Sequence, residues 1–176
     1  MANLVGSSSE SIDFAGSYTR PLFGGGITLD ARATYVKDLS LQVVPGGANE
    51  NYAGVITGDF LFLRGGFGAM RWKGAGSLQW TGDRLTLIWQ TRFFDSYFVS
   101  LDRQVSIGLG AAKVPSQTYH DISGSYAFAN GLKLRATVNN VFNKRPPLDT
   151  SNASFLYSTF GDPRLANYQL TVSKSF

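Results

Sequence analysis

The feature that most limits what this chain can become is a strict two-residue alternation of apolar and polar side chains, repeated along its length. Successive side chains of a strand point to opposite faces, so each such run makes one apolar and one polar face of a sheet. Ile12, Phe14, Gly16 and Tyr18 alternate with Ser11, Asp13, Ser17 and Thr19. Ile27, Leu29, Ala31, Ala33 and Tyr35 then alternate with Thr28, Asp30, Arg32 and Thr34. Trp72, Gly74, Gly76, Leu78 and Trp80 oppose Arg71, Lys73, Ser77 and Gln79, and Leu85, Leu87, Trp89 and Phe93 oppose Arg84, Thr86, Gln90 and Arg92. Ile122, Gly124, Tyr126 and Phe128 oppose Asp121, Ser123 and Ser125. The last two runs set Leu132, Leu134, Ala136, Val138 and Phe142, then Tyr168, Leu170, Val172 and Phe176, against polar partners. The expectation is an all-β antiparallel meander of about seven strands with no convincing helix.

The connections alternate too. Residues 24–26, 81–83 and 129–131 read as tight turns, with Asn130-Gly131 a strong hairpin signal. Roughly residues 44–70, 95–117 and 143–165 read as long loops without structure. A compact soluble domain rarely carries three such loops, whereas transmembrane barrels alternate short turns with long external loops. From Trp72 to Trp80 is about 27 Å of strand at roughly 3.4 Å per residue, and tilting it by about 45° leaves a span of nearly 20 Å. Its two tryptophans fall where aromatic girdles are expected. Tyr18, Tyr126, Phe128 and Phe176 would mark the girdle on the turn side, and Tyr35, Phe93, Phe142 and Tyr168 the girdle on the loop side.

Composition removes several alternatives. Only 16% of residues are charged, where about 25% is usual, while 14% are aromatic and 20 are glycine. Mean hydropathy is close to zero, so apolar and polar residues are interleaved and not blocked. No run approaches the roughly 18 apolar residues of a membrane helix. There is no cysteine, hence no disulfide or thiolate metal site. The net charge of +4 is spread singly, which argues against a nucleic-acid partner. His120 is the only histidine, and its neighbour Asp121 must point to the other face, so the two cannot act as base and orienter. Asp95, Asp102, Asp149 and Asp162 have no calcium-loop spacing, and Gly65-Gly66-Phe67-Gly68 is not a phosphate cradle, because no helix follows it. No enzyme and no cofactor are read. Residues Met1–Ser9 lack a basic start and an apolar signal core, so an exported protein of this kind is expected to be a piece of a longer one.

The last sixty residues carry a resemblance. Thr118-Tyr119-His120-Asp121-Ile122-Ser123-Gly124-Ser125-Tyr126 resembles the opening of the third-last strand of TonB-dependent outer-membrane receptors. Asn130-Gly131-Leu132-Lys133-Leu134 is similar to that family's next hairpin, and Asn139-Asn140-Val141-Phe142-Asn143-Lys144-Arg145-Pro146-Pro147 to the segment entering its last external loop. Within the latter, Asn140, Phe142, Pro146 and Pro147 match the family pattern. Phe160-Gly161-Asp162-Pro163-Arg164 is similar to the residues before the final strand, which ends in an aromatic residue as this chain does at Phe176. Tyr52-Ala53-Gly54-Val55 and Met70-Arg71-Trp72-Lys73-Gly74 look like the corresponding upstream stretches. Asn143 stands where the family usually has Asp, and Lys174 where an apolar residue is usual.

The resemblance implies a bacterial outer-membrane location, with residues 1–176 as the C-terminal segment of a plugged transmembrane barrel that takes up a scarce nutrient of siderophore, cobalamin or glycan class. Its partners would be outer-membrane lipid, the missing strands and plug, the barrel-assembly machinery acting on the terminus at Phe176, and a TonB-type energy transducer reached through the missing N-terminal part. Exposed loop aromatics Tyr97, Phe98, Phe155 and Tyr157 are candidate ligand contacts. The inward polar set Asp30, Arg32, Lys73, Gln79, Arg92, Lys133, Arg135 and Gln169 would face the plug or a wet lumen. Two other readings fit the alternation. One is an autonomous small barrel, a pore or adhesin, with an eighth strand from residues 52–64. The other is a soluble ligand-binding β-barrel whose apolar faces point inward.

Overall fold

The computed structural model describes residues 6–42, 45–57, 67–108, 113–151 and 156–175. All seven alternating runs form strands, and these pair in one antiparallel sheet. In chain order the elements are β1 (Gly6–Leu22), β2 (Gly25–Gln42), β3 (Glu50–Asn51), β4 (Val55–Thr57), β5 (Phe67–Ala69), β6 (Trp72–Thr81), β7 (Leu85–Phe94), α1 (Arg103–Gly108), β8 (Gln117–Ala127), β9 (Leu132–Asn139) and β10 (Asn167–Lys174). The sheet order is β1-β2-β6-β7-β8-β9-β10, a meander in which β3 adds briefly to β2. Among the described residues β1 and β10 each pair on one side only, so the sheet is open at both edges. Val55–Thr57 pairs with Phe67–Ala69 in a separate two-stranded sheet and inserts no eighth strand into the meander; residues 58–64 of that expected strand lie outside the described residues.

Several sequence expectations need correction. The first turn is not at 24–26 but at Phe23-Gly24, with φ of 52° and 70°, the mirror-image two-residue turn that matches strand twist. Gly25 and Gly26 belong to β2, and a Cβ on Gly25 would strike the Thr81 carbonyl. A run of three glycines offers no side chain to show which residues turn. The third turn, at 128–131, is wider than an Asn-Gly pair, since Gly131 alone carries a positive φ of 81°. The long loops are not structureless: they hold β3, β4, β5 and the six-residue helix α1. β1 and β2, at 17 and 18 residues, run well past the strictly alternating stretch.

Their extension turns on a bulge. Ser11 pairs with Val36 but Glu10 pairs with Asp38, leaving Lys37 as the extra residue. The extra residue exchanges the faces of β2. Below it the apolar residues Ile27 to Tyr35 share the face of Phe14 and Tyr18; beyond it Leu39 and Leu41 oppose Ser9 and Ser7 instead. Leu41 is thereby buried with Tyr52 and Val55, with Leu39, Phe98 and Leu101 packed around them. A second cluster joins Met70, Tyr97, Val99 and Val114, flanked by Ile56, Phe94 and Phe160.

Every buried hydrophobic residue among those described lies at this loop end, and none in the middle of the sheet. The apolar face of the sheet is uncovered, with Phe14, Leu29, Leu78, Trp89 and Leu170 all exposed. Seven strands at roughly 4.8 Å spacing make a patch about 30 Å wide, larger than soluble monomers normally leave bare.

Candidate functional site

The cross-strand register places the exposed aromatics on two diagonals. On the loop side Trp72 pairs with Tyr35. Phe93 pairs with Gly74, two residues nearer the tight turns than Trp72, and His120 pairs with Thr91, two nearer than Phe93. Two residues nearer again, Ile122 pairs with Val138, which pairs with Tyr168. The line thus descends by roughly 20 Å over about 19 Å of sheet, an angle near 45° to the strands. In a sheet whose strands tilt by about 45°, such a diagonal is a line of constant height.

A second diagonal runs beside it. Tyr18 pairs with Leu29 and through it with Leu78; Trp80 lies two residues nearer the turns. Trp80 pairs with Leu87, and two residues nearer again Leu85 pairs with Tyr126. Between the two lines no Asp, Glu, Lys or Arg occupies this face on any described strand. Charges return beyond them, with Lys37, Asp38 and Glu10 at the bulge on the loop side and Arg20 and Lys174 on the turn side.

Local contacts fix these rings. Trp72 lies 4.8 Å from the Tyr35 ring and stacks on Phe14 at 6.1 Å. Tyr126 meets Phe128 edge-on at 4.8 Å. Trp80 is half-buried, with its indole N–H donating to the Leu22 carbonyl at 3.0 Å and its ring lying over Gly82. His120 faces outward with them: Trp89 Nε1–H donates to its Nδ1 at 3.1 Å, and Phe142, past the end of β9, stacks edge-on at 5.1 Å.

The opposite face is polar and hollow. Ser17, Asp30, Arg32, Ser77, Gln90, Arg92 and Asp121 line an open depression of about 660 Å³. Asp30, Arg32, Lys73, Gln79, Arg92, Lys133, Arg135 and Gln169 all fall on this face. Arg92 grips Asp121 in a fork, with Nε–Oδ2 at 3.2 Å and Nη2–Oδ1 at 3.3 Å. Asp121 also accepts the Asn140 N–H at 2.7 Å, so the carboxylate ties β7 to the mouth of the last loop. His120 and Asp121 do point to opposite faces.

Asn140 shapes that mouth. Its φ of 52° starts the loop, its side-chain NH₂ donates to the Lys144 carbonyl at 2.8 Å and its Oδ1 accepts the Lys144 N–H at 2.9 Å. Asn143 Oδ1 accepts the Ala166 N–H at 3.0 Å, an acceptor role that Asp would fill equally. Pro146 is buried beside Tyr119 and Gly161, where a Cβ on Gly161 would clash with both. Pro147 accepts from Ser158 N–H at 2.9 Å. Arg164 lies in solvent, paired at 2.8 Å with Asp162, whose carboxyl it holds below the ordinary value. An exposed pair of this kind adds little stability.

The loop aromatics divide. Tyr97 is not exposed but fully buried, donating to Asp149 Oδ2 at 2.6 Å and lying 3.2 Å from Ser158 Oγ. Burial, then that hydrogen bond, pushes its phenol well above the ordinary range. Gln117 donates to Ser158 and accepts from Tyr119, so one buried network joins β8 to both of the last two loops. Sequence reading missed Gln117, Asp149 and Ser158, because nothing in isolated polar residues of distant loops announces that they meet. Phe98 is half-buried beneath Arg103, and Tyr157 is exposed. Phe155 and Phe176 lie outside the described residues. No group of three or more metal-ligating side chains occurs among the described residues.

No family model, curated protein or solved structure matches the chain.

Proposed function

We propose that this chain is a wall segment of a bacterial outer-membrane β-barrel, the C-terminal part of a TonB-dependent receptor for energy-coupled uptake of a scarce nutrient. The observation that carries the membrane reading is the charge-free apolar band bounded by two aromatic diagonals. Trp72 and Trp80 stand eight residues apart on β6, about 27 Å of strand and roughly 20 Å of height after tilt, against about 25 Å for the apolar band of such barrels. Aromatic rings at both boundaries, charges only beyond them and polar side chains on the hollow face are what a lipid-embedded wall requires. A soluble ligand-binding barrel would need the apolar face turned toward the hollow, and here it is turned away.

What supports the family-level reading is the ordered motif set between Tyr119 and Phe176, with Asn140, Pro146 and Pro147 in structural roles at the last loop. Open edges at β1 and β10 fit a piece that pairs with further strands. An autonomous eight-stranded barrel is less well supported, because β4 pairs with β5 away from the meander. In this reading the polar face meets a plug or wet lumen, and transport belongs to the whole receptor coupled to its transducer.

The test is made in cells producing the whole polypeptide. A membrane-impermeant thiol reagent should label a cysteine at Asn49, in the first long loop, and spare one at Gly82. Loss of the energy transducer should abolish uptake of the cognate nutrient. Labelling at Gly82 but not Asn49 would overturn the topology, and undiminished uptake without the transducer would overturn the family reading.

A further inference from the structure

We propose that a cleft in the loop layer, between residues 51–55 and 95–103, binds a compact oxyanionic group such as phosphate or a small polycarboxylate. The cleft encloses about 250 Å³, and among the described residues its walls include Arg71, Arg103 and Lys113 against one carboxylate, that of Asp95. That volume is below the usual drug-sized range, which suits a small ion or headgroup better than a large apolar ligand.

None of the three cations is engaged in an ion pair: the pairs among the described residues are Lys37–Glu10, Arg92–Asp121 and Arg164–Asp162. Asp95 Oδ1 is occupied locally by the Ser96 N–H at 2.7 Å and the Ser96 hydroxyl at 3.2 Å.

The cations are nevertheless positioned. The Arg103 guanidinium carbon sits 3.2 Å from the Phe98 ring centroid, and the Lys113 ammonium lies 5.3 Å from the same centroid. Stacking fixes both charges over one ring without neutralising either. Arg71 is seated by Gly54, which has φ of 84° and where a Cβ would come within 3.2 Å of Arg71 Cγ. Arg71 Nη1 also reaches the Lys37 carbonyl at 3.5 Å. All three cations are exposed at the cleft, and an anion with several oxygens can accept charge-assisted hydrogen bonds from more than one of them. Phe98 therefore acts as a platform for the cations and not as a direct ligand contact. This inference rests on the proposed function only for the side of the membrane the cleft faces.

The whole polypeptide in a nonionic micelle at low ionic strength is titrated calorimetrically with inorganic phosphate, citrate, glycerol phosphate and, as a neutral control, glycerol. Saturable binding of phosphate or citrate is expected, with none for glycerol. Combined Arg103→Gln and Lys113→Gln should weaken it about tenfold or more, the loss of at least one charge-assisted hydrogen bond. Lys133→Gln, on the distant polar face, should leave it unchanged. Gly54→Ala should weaken it by displacing Arg71 while retaining every charge. Equal affinity for glycerol phosphate assigns the group to a larger solute, and its rejection assigns a free ion; either result keeps the site. Absence of saturable binding, or equal binding by the double variant, overturns it. A failed membrane reading would leave the titration untouched.

Discussion

At the scale of single residues, neighbours in sequence live in opposite surroundings. Leu78 lies on the apolar face, two residues inside the turn-side boundary at Trp80, and Gln79 on the polar one, one residue apart. Leu78→Arg should destabilise the folded wall in lipid by about 1–2 kcal/mol, between the midplane and interfacial costs of a guanidinium facing hydrocarbon. Gln79→Arg should change stability by no more than about 0.5 kcal/mol. Denaturant unfolding in vesicles measures both, and equal effects would mean the faces are misassigned. In the loop layer the pH response is set by Tyr97. Its phenol ionises at higher pH in the folded state than in the unfolded, so its contribution is whole below the ordinary value of 10.0 and is lost as pH climbs past it. Tyr52, pushed up to about 12 by burial and Glu50, acts in the same direction. The loop layer should therefore lose stability from about pH 10 upward, and Tyr97→Phe should flatten that decline. Protease susceptibility of the loops against pH reads it, and a decline as steep in Tyr97→Phe would contradict the assignment. The alternation that separates Leu78 from Gln79 is legible in the sequence; the burial of Tyr97 is not, because it depends on Asp149 and Ser158, more than fifty residues away.

At the scale of elements, the bulge at Lys37 decides where the apolar band ends. Upstream of it β2 shows Tyr35 on the apolar face; downstream it turns Leu39 and Leu41 toward Tyr52 and Val55. Inserting one residue between Glu10 and Ser11 gives Lys37 a partner and β2 an unbroken alternation, so Leu39 and Leu41 swing to the apolar face and Asp38 and Ser40 to the other. The first long loop then loses its anchor, and cleavage within residues 45–57 should accelerate while the β6–β9 sheet stays intact. Unchanged proteolysis would show that the bulge does not hold the loop. Strand existence was readable from periodicity wherever the pattern was strict. The bulge was not, because Val36-Lys37-Asp38 reads as the end of a strand, and an extra residue that reverses the pattern looks like its loss. The short helix Arg103–Gly108 and β3 to β5 escaped for a related reason: each is too short for a period to register. Asn140 and Pro146 were conspicuous by resemblance, yet their roles, closing a turn and packing on Gly161, became visible only with the contacts.

For the whole molecule, the stabilising pattern is inverted relative to a soluble domain. Packed clusters sit at one end under the loops, the middle of the sheet has no core of its own, and both sheet edges are open. Unpaired backbone groups at those edges cost several kcal/mol each in hydrocarbon, so β1 and β10 need strand partners before the wall is stable in lipid. The most direct test of the membrane claim is spin-label accessibility along β6 of the whole polypeptide in reconstituted vesicles, one label at each position from Trp72 to Thr81. Even-numbered positions from Gly74 to Leu78 should collide preferentially with oxygen, which partitions into lipid. Ala75, Ser77 and Gln79 should favour a water-soluble relaxer, and Trp72 and Trp80 should fall between. Contact with the water-soluble relaxer at every position, with no two-residue period in oxygen, would contradict the account.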